Sequence, residues 1–251
     1  MADSLFKAFT KHSCPEWLCP ACCRPSLDIV LQTFHSEITR QTRMERNESW
    51  FDSDNVRMVF SCLLKCSRPS CLETVAVSGE GRTERFVTGI DGEDEDMIDL
   101  FSARAFFPPL PLFPLPQLCP EPVRVQISEV SSLLTCHPAA AANAIRSLLE
   151  KLLDDMHVPR EERRKGKKAR ALTLNERIVM NPELLGINQQ GIMALKLIGN
   201  AGSHGSEAIS QEHLEDACHV LELLINQIYP QPSDASHQIA RLQKAFGKKS
   251  V

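Results

Sequence analysis

The chain has 251 residues, of which 43% are hydrophobic and 24% charged, and its formal net charge is −4. This composition suits one large globular domain or two small ones and rules out wholesale disorder. The lack of a basic excess speaks against a nonspecific polyanion binder, and 6% aromatics, with a single Tyr, against a base-stacking surface.

The N-terminus, MADSLFKAFTKHSCPEW, has no apolar stretch of signal-peptide length, and no segment reaches the roughly 18 apolar residues of a membrane span. The sequence therefore reads as soluble and cytoplasmic, with no membrane partner. In that compartment its ten cysteines point to metal ligands or buried thiols rather than disulfides. Seven of the ten fall within the first 71 residues, which is the first sign of a two-part chain.

Residues 14 to about 90 look β-rich. Leu27 to Phe34 and Val56 to Leu64 read as strands, and Ser36 to Asp54 between them as a long polar loop. Glu73 to Val77 alternates and stops at Ser78-Gly79, a turn signal; Arg85 to Thr88 is a further short strand. Asp91 to Asp99 is an acidic, solvated linker. Phe106 to Pro122 is dense in proline and reads as an extended strap that packs Phe106, Phe107, Phe113 and its leucines onto a domain surface.

From Ser128 the periodicity becomes helical. Pro138 opens a helix at a permitted first-turn position, and Ile145, Leu148, Leu149, Leu152 and Leu153 form one apolar stripe. Thr173 to Met180 is a shorter helix with a Thr173/Glu176 capping box. Gln189 to Ile198 is a third, and a fourth runs from a Ser210 cap to Tyr229. The tail holds one weak helix around Ile239 to Phe246. Arg160 to Arg170 is strongly basic and reads as a solvated connector, with a phosphate or nucleic-acid contact as the alternative.

Two constellations carry chemistry. Cys19-Pro-Ala-Cys22 is a C-x2-C knuckle and Cys66-Ser-Arg-Pro-Ser-Cys71 a C-x4-C knuckle. Two tight turns that supply two thiolates each suit a structural Zn²⁺, because four sulfurs leave no open position for catalysis. Spare cysteines leave the ligand choice open: Cys23 can stand in for Cys22, Cys14 forms another C-x4-C pair with Cys19, and Cys62 lies four residues before Cys66. In the second constellation, Ile198-Gly-Asn-Ala-Gly-Ser-His204, Asn200 and His204 stand one helical turn apart. On residue types alone Asn200 caps a helix end and His204 bonds a carbonyl. The catalytic alternative makes His204 an acid or base oriented by Asn200. No P-loop, G-x-S-x-G or H-E-x-x-H occurs.

In their order, Cys19-Pro-Ala-Cys22, FSCLLKCSRPSC, ETVAVSGEG, the proline strap, HPAAAANAIRSLLEKLL, IGNAGSH and the terminal NQIYP resemble the bacterial domain-of-unknown-function family 4145, over about residues 14 to 230. The resemblance implies a zinc-ribbon-like front joined to a helical body and, from fusions to restriction-type subunits, a phage-defence context. The body in turn resembles the HEPN superfamily, many of whose members are metal-independent ribonucleases. On that likeness Asn200 and His204 match the motif, and RNA or a defence-system protein becomes the partner. A homodimer through the helical half is also implied. The motif arginine is Gly199 here, so Lys196 or Arg146 would have to supply its charge. The expected fold class is α+β: a zinc-ribbon-like β domain with a long insert over 1–95, an acidic and proline-rich linker strap over 96–127, a HEPN-like bundle of four to five helices over 128–230, and a flexible tail over 231–251.

Overall fold

The computed structural model describes residues 2–88, 94–162, 168–204, 208–230 and 236–246, with side chains described except at 2–3, 87–88, 94–95, 204 and 236–238. The fold is mixed α+β, with an antiparallel sheet first and helices after it. Strands β1 (Leu27–Ile29), β2 (His35–Ile38), β3 (Arg57–Cys66), β4 (Thr74–Thr88) and β5 (Asp94–Phe107) make one sheet in the order β1–β3–β4–β5, with β2 also on β3.

β3 sets the register. Its residues alternate strictly, so that Met58, Phe60, Cys62, Leu64 and Cys66 share the buried face. Phe9 and Phe101 meet Phe60 there, and Trp17 meets Phe9, in edge-on and tilted ring contacts with centroids 5.1–6.1 Å apart. Such pairs add about 0.5–1.5 kcal/mol each beyond their buried area.

The sheet departs from the sequence reading in four places. The first strand stops at Ile29, because the chain bends into a 3-10 turn over Leu31–Thr33 and the Thr33 hydroxyl accepts the Leu63 amide at 2.8 Å. The long loop is instead β2, paired along the first half of β3, followed by α1 (Arg40–Glu45) with Thr39 as its N-cap. Ser78-Gly79 is no turn. β4 runs through it at a bulge, where a Cβ on Gly79 would stand 2.1 Å from the Ser102 carbonyl oxygen. The acidic run is no linker over its described part either: residues 94–99 begin β5, which pairs with β4 along its length. Residues 91–93 lie outside the described residues. Long-range ladder hydrogen bonds, invisible to local pattern, decide the last three.

The strap packs as expected at Leu110, Leu112 and Phe113, each 1% exposed. Phe107 is the exception at 79% exposure, because strand alternation turns it to the outer face of β5 while Phe106 packs edge-on against Trp17 at 5.1 Å.

The helical half begins earlier than its periodicity suggests, with α2 (Glu121–Leu134), since proline is tolerated in a first turn. α3 (Pro138–Asp155) starts at Pro138 as read, and its stripe from Ile145 to Leu153 is fully buried against α2, α6 and α7. Each such side chain contributes about 1.5–3 kcal/mol by leaving water. A short hairpin of β6 (Glu161–Glu162) and β7 (Arg170–Ala171) follows, covering part of the basic run; residues 163–167 lie outside the described residues. Arg160 and Arg170 are not free for phosphate, because Arg160 pairs with Asp154 and Arg170 with Glu162 and Glu176.

Next come α4 (Leu174–Val179), with the expected capping box, and α5 (Pro182–Leu185). α6 (Gln189–His204), α7 (Gln211–Ile228) and α8 (Ser236–Phe246) complete the chain. The tail is thus helical over 236–246, and its residues 231–235 and 247–251 lie outside the described residues. α6 runs a turn and a half past Ile198, and its glycines serve packing rather than termination. A Cβ on Gly199 would lie 2.8 Å from Arg146 Cβ, and one on Gly202 2.6 Å from the Ala139 carbonyl oxygen. The two glycines let α6 lie tightly against α3.

Sheet and helices share one continuous core. The Thr135 hydroxyl donates to the Arg104 carbonyl at 2.8 Å, and Arg104 Nη1 donates to the Thr135 carbonyl at 3.1 Å. Trp17 Nε1 donates at 2.8 Å to the carbonyl of Ser4, in a 3-10 turn that touches α7.

Candidate metal centre

Antiparallel register brings the two knuckles together. Leu27 of β1 pairs with Cys66, the last residue of β3, so the C-x2-C turn before β1 lands beside the C-x4-C turn between β3 and β4. Both turns close at that end of the sheet. The Cys23 amide bonds the Cys19 carbonyl at 2.8 Å, and the Leu72 amide bonds the Arg68 carbonyl at 3.1 Å. The residue after each knuckle sits in the left-handed region, Cys23 with φ 50° and Leu72 with φ 55°.

The sulfurs of Cys19, Cys22, Cys66 and Cys71 all lie within 4.8 Å of one another. Cys19 and Cys71 are 3.6 Å apart, and Cys22 and Cys66 3.8 Å. Backbone amides point at every sulfur: those of Ala21 and Cys22 at Cys19, Arg24 at Cys22, Arg68 at Cys66, and Glu73 at Cys71. Ser26, unremarkable in the sequence, lies 3.1 Å from Cys66 Sγ and 3.8 Å from Cys22 Sγ. The Ser26 hydrogen bond is the main cause that holds the Cys66 thiol low. Burial raises Cys22, but the Arg24 amide, Arg68 and Ser26 outweigh it and bring that thiol down to about 6. These donors favour thiolate, the form that binds metal, at Cys22 and Cys66. Burial pushes the Cys19 thiol up to about 12, and Cys71 is also raised, the Glu73 amide being outweighed by burial and the neighbouring sulfurs. Among the described residues these four cysteines can hold a metal ion.

The spare cysteines stand apart from this group. Cys62 shares the buried face of β3 but lies four residues, about 13 Å, back from Cys66 along the strand. Burial, and then Cys14, push its thiol up to about 11. The Cys14 thiol donates to the Leu27 carbonyl at 3.0 Å. Cys23 points away toward the strap and α2, where it lines a cleft with Pro108, Leu110 and Arg124.

The second constellation divides. Asn200 caps nothing, because the helix continues to His204; its Oδ1 accepts from Arg146 Nη1 of α3 at 2.6 Å. Lys196 turns the other way, and its ammonium donates to Asn175 Oδ1 of α4 at 2.9 Å. Nearby, the Ser203 hydroxyl lies 2.8 Å from Asn143 Oδ1. His204 follows Asn200 by one turn of α6, and its side chain lies outside the described residues.

Residues 128–245 match the family model described as a domain of unknown function (DUF4145). Residues 7–109 match a different one, a domain of unknown function (DUF8608). The family resemblance drawn over most of the chain is therefore located in the helical half, while the half carrying the cysteines matches its own model. No curated protein and no solved structure matches the chain.

Proposed function

We infer a zinc-stabilised, non-enzymatic interaction protein, from a helical half that matches the DUF4145 family model and a front half that gathers four thiols. Cys19, Cys22, Cys66 and Cys71 hold one structural Zn²⁺. The observation that carries this reading is the packing of the four sulfurs. Zinc in a tetrahedron of thiolates about 2.3 Å away requires sulfur–sulfur edges of about 3.8 Å. The two hydrogen-bonding sulfur pairs lie 3.6 and 3.8 Å apart. Four thiolates fill the tetrahedron, so the ion clamps chain ends and activates no water. The clamp fixes the end of the sheet that faces the strap and α2, which makes the front half a rigid platform beside the helical body. Recognition of RNA or of a defence-system protein by that body is the biological role we attach to it.

Elemental analysis of the purified protein tests the metal: about one zinc per chain is expected. Cys19→Ser or Cys71→Ser should lose the ion and unfold the front half, whereas Cys62→Ser and Cys14→Ser should retain it. A folded wild type free of metal ends the proposal.

One observation favours a second reading, a HEPN-type metal-independent ribonuclease using His204 with Asn200. Arg146 approaches Asn200 from α3 and supplies the cation that Gly199 lacks. Labelled tRNA incubated with the protein, without added divalent cation, separates the two readings. Cleavage lost in both His204→Ala and Arg146→Ala, with the fold intact, supports the enzyme; RNA left whole by the wild type supports the interaction protein.

A further inference from the structure

Among the described residues, nothing covers the apolar face of α8. Every described side chain from Ile239 to Phe246 is exposed, including Ile239 at 51%, Leu242 at 60% and Phe246 at 80%. These three recur at i, i+3 and i+7 and so share one stripe, with Arg241 and Lys244 on the opposite side. A helix of eleven residues is marginal in water by itself and gains its stability from a surface to lie on.

The same chain offers such a surface. A groove of about 300 Å³ runs between α6 and α7, lined by Ala194, Leu197, Ile198, Ala201, Ile209 and Val220. Leu197 on its rim is 60% exposed. The groove spans eight residues of α6, from 194 to 201, and the stripe on α8 spans eight, from 239 to 246; seven rises of about 1.5 Å make each about 10 Å long. The small side chains of Ala194 and Ala201 leave room for large anchors, the arrangement by which an amphipathic helix seats in a groove.

Charge agrees with shape. α7 carries Glu212, Glu215, Asp216 and Glu222 and no Lys or Arg. The segment 236–251 carries Arg241, Lys244, Lys248 and Lys249 and no Asp or Glu. Within a Debye length these fields attract, while the α8 stripe faces inward and its basic residues stay in water.

We propose that the α6–α7 groove receives α8 of a second copy of this chain, two copies exchanging their terminal helices in a reciprocal dimer. Within one chain the described residues leave the groove open; exchange covers both apolar surfaces twice over, by a two-fold, self-complementary contact. The inference is independent of the zinc centre, since none of its residues touches the four cysteines.

Sedimentation of the full chain over a range of concentrations tests it. A dimer is expected. Phe246→Asp and, from the other side of the contact, Leu197→Asp should each weaken it by at least about a hundredfold. Both positions are exposed in the monomer, so circular dichroism and zinc content should not change. Mixing Leu197→Asp with Phe246→Asp restores one intact groove facing one intact helix and should recover a heterodimer that neither variant forms alone. Raising NaCl should loosen the wild-type dimer. A wild type that stays monomeric overturns the proposal, whether α8 then folds onto its own groove or binds anionic vesicles. A dimer indifferent to both substitutions overturns it as well.

Discussion

Gly199→Ala tests the reason why the motif arginine is absent from α6. In a helix interior, alanine is favoured over glycine by about 1 kcal/mol. Against this, the added methyl would stand 2.8 Å from Arg146 Cβ and 3.3 Å from the Ala142 carbonyl oxygen. Neither neighbour is the free end of a flexible side chain, so α3 or α6 must retreat, at an overpacking cost of about 1–3 kcal/mol. Retreat also stretches the Arg146–Asn200 hydrogen bond, a charge-assisted contact of about 1.5–3 kcal/mol in buried settings and less at this half-buried one. Clash outweighs propensity, and a net loss of about 1–2 kcal/mol is expected in urea unfolding followed by circular dichroism. Gly191→Ala is the control on the same helix. The three atoms nearest its methyl would all belong to the Leu224 side chain, from 3.2 Å, with no backbone among them, so propensity should win and stability hold or rise. Gly199→Arg brings the same Cβ collision and should be at least as damaging. If Gly199→Ala stabilises as much as Gly191→Ala, the close helix contact does not explain the glycine and the argument fails.

Two other perturbations probe the helical half. Tyr229 is buried and its hydroxyl donates to Asp155 Oδ2 at 2.6 Å, tying the end of α7 to the end of α3; Tyr229→Phe should cost about 1–2 kcal/mol in urea unfolding, and an unchanged midpoint would show the bond to be idle. The Thr173 backbone amide, followed by Arg170 and the Thr173 hydroxyl, lowers the Glu176 carboxyl from 4.5 to about 2. Its folded value lies below its unfolded one, so its stabilisation is present above about pH 4.5 and drains away as pH falls toward 2. Glu176→Gln should therefore flatten the fall in melting temperature across that window; a profile parallel to wild type would count against the capping box.

What the sequence settled by itself was local. Pro138, the Thr173/Glu176 box, the Ser210 cap and the α3 stripe all act within one or two turns of chain, and each element stands where its residues place it. The two cysteine knuckles belong to the same class, because a C-x2-C or C-x4-C turn is set by its own few residues. Tertiary structure alone decided which cysteines converge. Cys14, Cys23 and Cys62 have spacings nearly as suitable, and it is the pairing of Leu27 with Cys66, an event between residues 39 positions apart, that brings the two knuckles together and leaves the others out. The long β4–β5 ladder took in an apparent turn and the described part of an acidic run, since hydrogen bonds to a partner strand outweigh the weak preferences of single residues. The glycines after Ile198 look like a helix end in one dimension, and only the approach of α3 in three shows them to be the reason that the helix can continue.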